Sequence, residues 1–220
     1  MRTRIAIAAL LLIGAAARAQ TAEADVPILG SSQRWSLNTG ETVAQDRNAV
    51  SVEAGWPGIS LGYTKGLSDT TDIGARFDLL YGVESTTTTQ FGLGFRVPYR
   101  VVLSRSGATS ILVHADPGVK LYTTSPATFA LQVPVGVALG YGVANNLRVE
   151  VGADLPVTLG LSPSADLVLA PMVGGGVEYR VDRDLTVGLD TRFGPVFVPT
   201  ASGAGTRFGF RTLVTAAYRL

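Results

Sequence analysis

The chain contains no cysteine and a single histidine among its 220 residues. The absence of cysteine excludes a disulfide scaffold, and it also excludes a lipoprotein anchored through a cysteine. The lone histidine, His114, argues against a metal cluster built from histidines, so we predict no metal site. Nucleotide-binding motifs are also missing, because Gly174-Gly175-Gly176 lies within a predicted strand and no helix follows it. We therefore predict no cofactor.

Charge of one sign is not in excess, with 18 Lys and Arg against 17 Asp and Glu. Three of the arginines lie in residues 1–19, so the remainder of the chain is slightly acidic. This balance gives no reason to expect a nucleic-acid partner.

A long continuous apolar run occurs only near the N-terminus. Ile5 to Ala17 follows a basic start and is too short to span a bilayer as a helix. Ala17-Arg18-Ala19 has the small-x-small pattern of a cleavage site. We predict a signal peptide over residues 1–19, cleaved after Ala19, and a short lead segment over 20–33.

The rest of the chain is apolar without such a run, because its apolar residues alternate with polar ones. From Thr128 to Leu159 almost every odd position is apolar, and the even positions are polar, charged or small. A period of two indicates β-strands. Asn145-Asn146 interrupts the pattern and suits a tight hairpin turn.

The same alternation recurs along the chain and predicts a series of long strands. Their ranges are 49–66, 71–81, 90–103, 110–122, 128–143, 147–159, 166–181, 185–195 and 207–220. In the first of them the apolar parity changes at Trp56-Pro57-Gly58, which we interpret as a bulge in one strand in preference to a hairpin. Residues 34–39 are a weak additional strand candidate.

The connections between these strands also alternate in character. Short polar connections occur at 67–70, 104–109, 144–146 and 182–184. Generally longer ones rich in Thr, Ser and Gly occur at 82–89, 123–127, 160–165 and 196–205, and Thr86–Thr89 is expected to be a solvated loop tip.

The export signal, the alternating strands and an aromatic-bearing last strand together resemble a Gram-negative outer-membrane β-barrel protein. The resemblance covers residues 34–220 and implies an all-β, antiparallel, up-and-down transmembrane barrel. It implies an even number of strands because both chain ends lie in the periplasm. We expect about ten strands, with eight as the alternative and twelve less favoured.

The resemblance also implies partners. The barrel would contact outer-membrane lipid and be inserted by the outer-membrane assembly machinery, while its oligomeric state stays open. That machinery is expected to read the last strand, here through Phe208, Phe210, Tyr218 and Leu220. The usual pattern ends on an aromatic residue, whereas this chain ends on leucine.

Charged residues fall on the face of the strands opposite the apolar one, so we predict that they line the interior of the barrel. The predicted lumen residues are Glu53, Arg76, Asp78, Arg96, Arg100, His114, Asp116, Lys120, Arg148, Glu150, Asp154, Glu178, Arg180, Asp190, Arg192, Arg207, Arg211 and Arg219. Mixed charge in a narrow space favours a structural plug of ion pairs. A small pore with a slight anion preference is the alternative, because the bases outnumber the acids.

Tyrosines near the predicted strand ends are candidates for aromatic girdles at the membrane interface. They are Tyr63, Tyr81, Tyr99, Tyr122, Tyr141, Tyr179 and Tyr218.

No catalytic residues are predicted. Ser110, His114 and Asp116 share one strand face, but Ser110 and His114 would lie about 13 Å apart at roughly 3.3 Å per residue. The predicted function is therefore structural or that of a narrow passive channel, and not enzymatic. Two alternatives stay open: an exported soluble lipocalin-like or β-sandwich binder, and an outer-membrane lipid-modifying enzyme that uses His114.

Overall fold

The computed structural model describes residues 35–83, 89–123, 126–162, 165–200 and 203–220. The predicted signal peptide, the lead segment 20–33, Arg34 and the loop residues 84–88 lie outside these ranges. The prediction of an all-β, antiparallel fold is confirmed, because the described residues form strands, turns and irregular segments without any helix. None of the described segments forms a helix of the length and apolarity that crossing a bilayer demands.

Fifteen strands form one sheet. They are β1 (Asn48–Trp56), β2 (Gly58–Ser68), β3 (Thr71–Gly82), β4 (Thr89–Arg96), β5 (Tyr99–Ser106), β6 (Thr109–Ala115), β7 (Gly118–Tyr122), β8 (Thr128–Gln132), β9 (Val135–Ala144), β10 (Leu147–Leu155), β11 (Val157–Ser162), β12 (Asp166–Leu169), β13 (Met172–Arg180), β14 (Leu185–Thr200) and β15 (Gly203–Arg219). The count differs from the expected ten.

Proline accounts for the difference. Five predicted strands are each divided in two, at Pro98, Pro117, Pro134, Pro156 and Pro171. Proline has no N–H to donate, so it interrupts a ladder. The breaks lie side by side: the Val97 N–H donates to the Pro117 carbonyl at 2.8 Å, and the Asp116 N–H to the Pro134 carbonyl at 2.8 Å. A row of prolines therefore crosses the sheet.

The sheet closes on itself. Besides the pairings along the strand order, β12 pairs with β14 and β3 pairs with β5. Twelve strands, β3 to β14, form one closed path of paired strands that surrounds the row of prolines. The other three strands, β2, β1 and β15, pair in that order and connect β3 to β14. We call the whole assembly the ring. Short turns between the strands, such as 69–70 and 145–146, gather at the end of the ring where β1 starts and β15 finishes.

The change of parity at Trp56-Pro57-Gly58 is a hairpin, so the interpretation as a bulge in one long strand is wrong. β1 and β2 pair antiparallel, with Ala54 opposite Ile59, and the Trp56-Pro57 peptide bond is cis. The weak strand candidate at 34–39 is also wrong, because residues 35–39 form no strand. Their backbone polar groups bind charged side chains of the ring instead, as described below.

The expected connection at 196–205 is mostly strand. β14 runs to Thr200 and β15 starts at Gly203, and the two strands pair continuously up to these residues. The threonine, serine and glycine content that suggested a loop does not prevent this pairing, which runs from Val196 opposite Arg207 to Thr200 opposite Gly203.

The two faces of the strands differ in the exposure and the polarity of their side chains. Leu61 is 58% exposed and Val151 is 60% exposed, as are many other apolar residues of the same parity. Their neighbours of opposite parity point into the ring and are buried, and many of them are charged. Apolar clusters in the interior are small, one around Trp35 and Val43 and one around Met172 and Val196.

Candidate functional site

The interior of the ring is built from ion pairs that neighbouring strands bring together. Asp78 on β3 and Arg96 on β4 form a bidentate pair, with Nε–Oδ2 at 2.7 Å and Nη2–Oδ1 at 2.6 Å. The Ser60 hydroxyl donates to the same carboxylate at 2.6 Å. Arg76 pairs with Glu53 on β1 at 2.8 Å. Each partner lies on the inward parity of its strand, so alternation alone places the charges face to face.

A second group of ion pairs centres on Arg192, which is only 4% exposed. Its guanidinium pairs with Glu150, with Asp190 at 2.6 Å and with Asp154 at 3.2 Å. Arg211 lies at 3.2 Å from both Asp154 and Asp190. Buried ions at this density persist only when each has partners, so the group behaves as one unit.

His114 belongs to this group of charged residues. Its Nε2 lies 3.0 Å from Asp154, and its Nδ1 lies 3.7 Å from Asp116. The Ser110 hydroxyl instead accepts a hydrogen bond from Arg148 at 3.1 Å. The structure therefore brings His114 to two carboxylates and gives Ser110 a different partner, so it does not bring together Ser110 and His114 as a nucleophile and its base.

The first described residues enter the ring at the end that carries the short turns. We call residues 35–44 the plug segment. Trp35 and Val43 are fully buried, and Glu41 is 2% exposed. The indole N–H of Trp35 donates to the Arg183 carbonyl at 3.2 Å, and the Arg219 guanidinium lies 5.2 Å above the ring centroid of Trp35. The segment thus closes this end of the interior.

Acidic side chains of the ring accept hydrogen bonds from the plug segment. Glu178 accepts from the Asn38 N–H at 3.1 Å and from the Ser36 hydroxyl at 2.8 Å. Asp72 accepts from the Val43 N–H at 3.0 Å. These carboxylates satisfy amide donors that no strand pairs, which is a requirement for a buried backbone.

Arginines of the ring donate hydrogen bonds to the backbone carbonyl groups of the plug segment. Arg100 donates to the Leu37 carbonyl at 2.6 Å while forming a bidentate pair with Asp72 at 2.8 and 2.5 Å. Arg148 donates to the Thr39 carbonyl at 3.4 Å. From the plug segment, Glu41 pairs in return with Arg105 at 2.8 Å. Charged side chains of the ring therefore hold the plug segment largely through hydrogen bonds to the main chain of that segment.

Inward glycines provide the space for this segment. A Cβ at Gly140 on β9 would lie 2.3 Å from the Thr39 carbonyl oxygen, which no real contact permits. Gly40 faces it with φ +76°, a conformation that glycine adopts without strain. The small even positions of the predicted strand thus have a structural role, which is close approach of a second backbone.

A cavity of about 100 Å³ remains above the plug segment. Leu37, Asn38 and Gly40 of that segment line it, together with charged residues of the ring such as Arg192 and Asp116. A volume of this size holds a few water molecules. The arrangement can bind water and small ions, but it leaves little space for a larger solute.

Most of the predicted lumen residues lie inside the ring. Those classed as buried are Glu53, Asp78, Arg96, Arg100, Lys120, Arg148, Glu150, Asp154, Glu178, Asp190, Arg192 and Arg219. Those that are half-buried are Arg76, His114, Asp116, Arg180 and Arg211.

Arg207 is exposed, so unlike the other predicted lumen residues it is not buried inside the ring. It lies where β14 and β15 extend as a long hairpin, opposite Val196. Three interior charges are missing from the predicted set: Glu41, Asp72 and Arg105. Asp72 shares the inward parity of Asp78 and could have been included, whereas Glu41 lies in a segment without periodicity. The added acids bring the interior closer to charge balance.

The predicted girdle tyrosines are mostly on the outer face. Those that are exposed are Tyr63, Tyr81, Tyr99, Tyr141, Tyr179 and Tyr218. Tyr122 is the exception: it is 8% exposed, packs against Gly92 and shares the inward parity of Lys120, so its assignment to the girdle is wrong. In the last strand Phe208, Tyr218 and Leu220 are exposed. Phe210 is half-buried, stacked on Trp56 with ring centroids 5.8 Å apart.

Among the described residues, no group of three or more His, Cys, Asp or Glu side chains is placed to hold a metal ion. Comparison with protein-family models and with curated proteins found no match to this chain. Functional inference therefore rests on the geometry of the interior and of the outer surface.

Proposed function

We propose that this protein is a transmembrane β-barrel of a Gram-negative outer membrane, exported by the signal peptide 1–19 and closed at rest. The observation that carries the proposal is the distribution of polarity: exposed apolar side chains cover the outside of the ring, and paired charges fill the inside. In water this arrangement is inverted relative to an ordinary soluble domain. In a bilayer it matches the lipid-facing and lumen-facing alternation of a barrel.

The closed ladder supports the same proposal. A sheet can cross the hydrocarbon layer only if its backbone polar groups are paired, which requires a closed ring. Exposed tyrosines toward the short-turn end, such as Tyr63 and Tyr218 on either side of Val50, suit an interface with lipid head groups. The alternative of a soluble lipocalin-like binder requires an apolar interior, and the charges around Arg192 oppose it.

The interior supports a structural or narrowly conducting role. Ion pairs and the plug segment lie in the lumen among the described residues, and the cavity above the plug segment holds about 100 Å³. We therefore expect low resting conductance. The near balance of buried acids and bases removes much of the basis for a strong anion preference.

The decisive test is fractionation of the expressed chain, followed by electrophoresis in detergent with and without boiling. Recovery in the outer membrane with a mobility shift on boiling is the expected result. Soluble periplasmic protein that shows no shift would overturn the proposal and favour the soluble binder.

The lipid-modifying alternative is tested separately. If His114 were a catalytic base, His114→Ala would abolish lipid modification by membranes that contain the protein. We expect the lipid profile to be the same with the wild type, with His114→Ala and without the protein, because Ser110 binds Arg148 and not His114.

A further inference from the structure

We infer that the short-turn end of the ring is a peptide-docking site whose occupant is the chain's own plug segment, and that release of this segment opens the lumen. The inference rests on the proposed function, since an opening matters only for a barrel in a membrane. It assigns the closing role to the N-terminal segment, at the end opposite the longer loops.

The contacts have the character of a binding site and not of a core. Five charged residues of the ring bind amide or carbonyl groups of the segment: Asp72, Arg100, Arg148, Glu178 and Arg180. Such hydrogen bonds can be exchanged for water when the segment leaves, whereas an apolar core cannot be opened in this way without exposing surface. The apolar anchor is small, with Trp35 and Val43 as its largest fully buried members.

The connection between the plug segment and β1 is a surface turn that Asp46 and Arg47 hold to Gly66 of β2 by two backbone hydrogen bonds. Gln45, Asp46 and Arg47 are exposed. Ala44 has φ +78°, a region of the backbone that residues other than glycine, asparagine and aspartate disfavour, and Asp46 has φ +56°. The docked state therefore holds a strained joint, and release of the plug segment relieves it.

The segment is also the floor of the cavity. Leu37, Asn38 and Gly40 line it from below, and the ring lines its walls. Withdrawal of these residues would connect the cavity to solvent at the short-turn end. Release would thus widen a space that holds a few waters into a vestibule lined by Arg100, Arg148 and Glu178.

Two tryptophans make the position of the segment measurable. Trp35 lies in the segment and Trp56 lies in the hairpin at the opposite end of the ring. In a Trp56→Phe background, Trp35 is the sole indole fluorophore. Its fluorescence should be blue-shifted and protected from acrylamide while the segment is docked, because Trp35 is fully buried.

Gly140 and Gly142 provide a matched pair of substitutions on the same face of β9. A Cβ at Gly140 meets the Thr39 carbonyl oxygen at 2.3 Å, whereas at Gly142 the nearest atom is 3.7 Å away. In liposomes and planar bilayers, Gly140→Ala should red-shift Trp35 emission, increase acrylamide quenching several-fold and raise conductance several-fold. Gly142→Ala should leave all three at the level of the Trp56→Phe parent.

Cross-linking tests whether holding the plug segment in place keeps the lumen closed. The chain has no native cysteine, and the Asn38 side-chain amide lies 2.7 Å from the Thr215 hydroxyl. Asn38→Cys/Thr215→Cys, joined by a short bis(methanethiosulfonate) reagent that forms a disulfide with each cysteine thiolate and releases methanesulfinate, should abolish channel openings, and dithiothreitol should restore them. The two single-cysteine variants treated with the same reagent are the controls.

The outcomes separate the inference from the proposed function. A protein that inserts and shows the boiling shift, but whose conductance is unaffected by the cross-link, overturns release as the opening step. Conductance that stays absent even when Gly140→Ala exposes Trp35 overturns it as well. If Gly140→Ala fails to fold, the cross-linked pair decides alone. Failure of the wild type to enter membranes would overturn the proposed function itself.

Discussion

Arg192 offers the sharpest test of the charged interior. Its guanidinium pairs with Glu150, Asp154 and Asp190, and it is almost completely buried. Arg192→Met keeps a side chain of similar length but removes the positive charge. Three carboxylates then share an interior without their common partner, and breaking a buried ion pair in this way costs about 3–5 kcal/mol.

The contacts that survive reduce this cost. Asp154 keeps Arg211 and His114, and Asp190 keeps Arg211. Glu150 loses its pair with Arg192, so it bears most of the penalty. We therefore expect Arg192→Met to lower the free energy of unfolding by about 3 kcal/mol, the lower end of that range.

A double-mutant cycle isolates the pair. Glu150→Gln removes the orphaned charge, so Glu150→Gln/Arg192→Met should recover about 2 kcal/mol relative to the sum of the single variants. Reversible urea unfolding in lipid vesicles, followed by tryptophan fluorescence and the boiling shift, provides the measurement. Arg207→Met removes the same charge from an exposed position and should change stability by less than about 0.5 kcal/mol.

The reasoning would be refuted if Arg192→Met were no more destabilising than Arg207→Met. That result would mean that water reaches Arg192 and its carboxylates freely, and that the interior is not the low-dielectric network of ion pairs described above. A coupling energy near zero between positions 150 and 192 would locate the error in the pair itself.

Three further predictions test other parts of the molecule. Leu61→Arg should lower the free energy of unfolding in bilayers by about 2–4 kcal/mol, because position 61 lies on the proposed lipid face. Asn145→Arg, which lies in a turn, should fold normally in the same vesicle assay. Asp72→Asn should lower stability in urea titrations by about 3 kcal/mol, since it leaves the buried Arg100 without its carboxylate; exposed Asp69→Asn is the control, and equal effects would contradict the expectation. Trp56→Ala should cost about 1–3 kcal/mol through loss of its ring contacts with Tyr81 and Phe210, and an unchanged urea midpoint would show that the aromatic cluster contributes nothing.

Periodicity alone predicted the class of fold because each strand position carries a signal of its own. Residues two positions apart in a strand lie on the same face, so the face of Leu61 or Glu53 can be predicted from its neighbours at that spacing. This prediction does not depend on which strands pair. The same rule identifies Asp72 as inward, and it would have excluded Tyr122 from the girdle if parity had been preferred over position near a strand end. The exposure of Arg207 was not foreseen, because the alternation does not reveal where β14 and β15 extend together beyond their other partners.

The proline breaks and the Trp56-Pro57 hairpin were harder to predict from the residues. Proline within a strand pattern permits a bulge, an interruption or a turn, and the choice depends on which neighbour pairs across it. Here Pro98, Pro117 and Pro134 lie on adjacent strands, so their interruptions coincide and the sheet accommodates them in one row. Such alignment depends on register between strands, which single-strand patterns do not contain.

By itself the sequence determined that the chain is all-β, with apolar and charged residues on opposite faces, because alternation is a local property of an extended backbone; the antiparallel order was implied only by the resemblance. Only the tertiary structure decided what fills the interior. The plug segment has no periodicity, and its position depends on Glu178, Arg100 and Asp72, which lie far away in the chain and meet it only when the ring closes. The role of Gly140 likewise follows only from the structure, in which the Thr39 carbonyl occupies the space that a Cβ at this position would need.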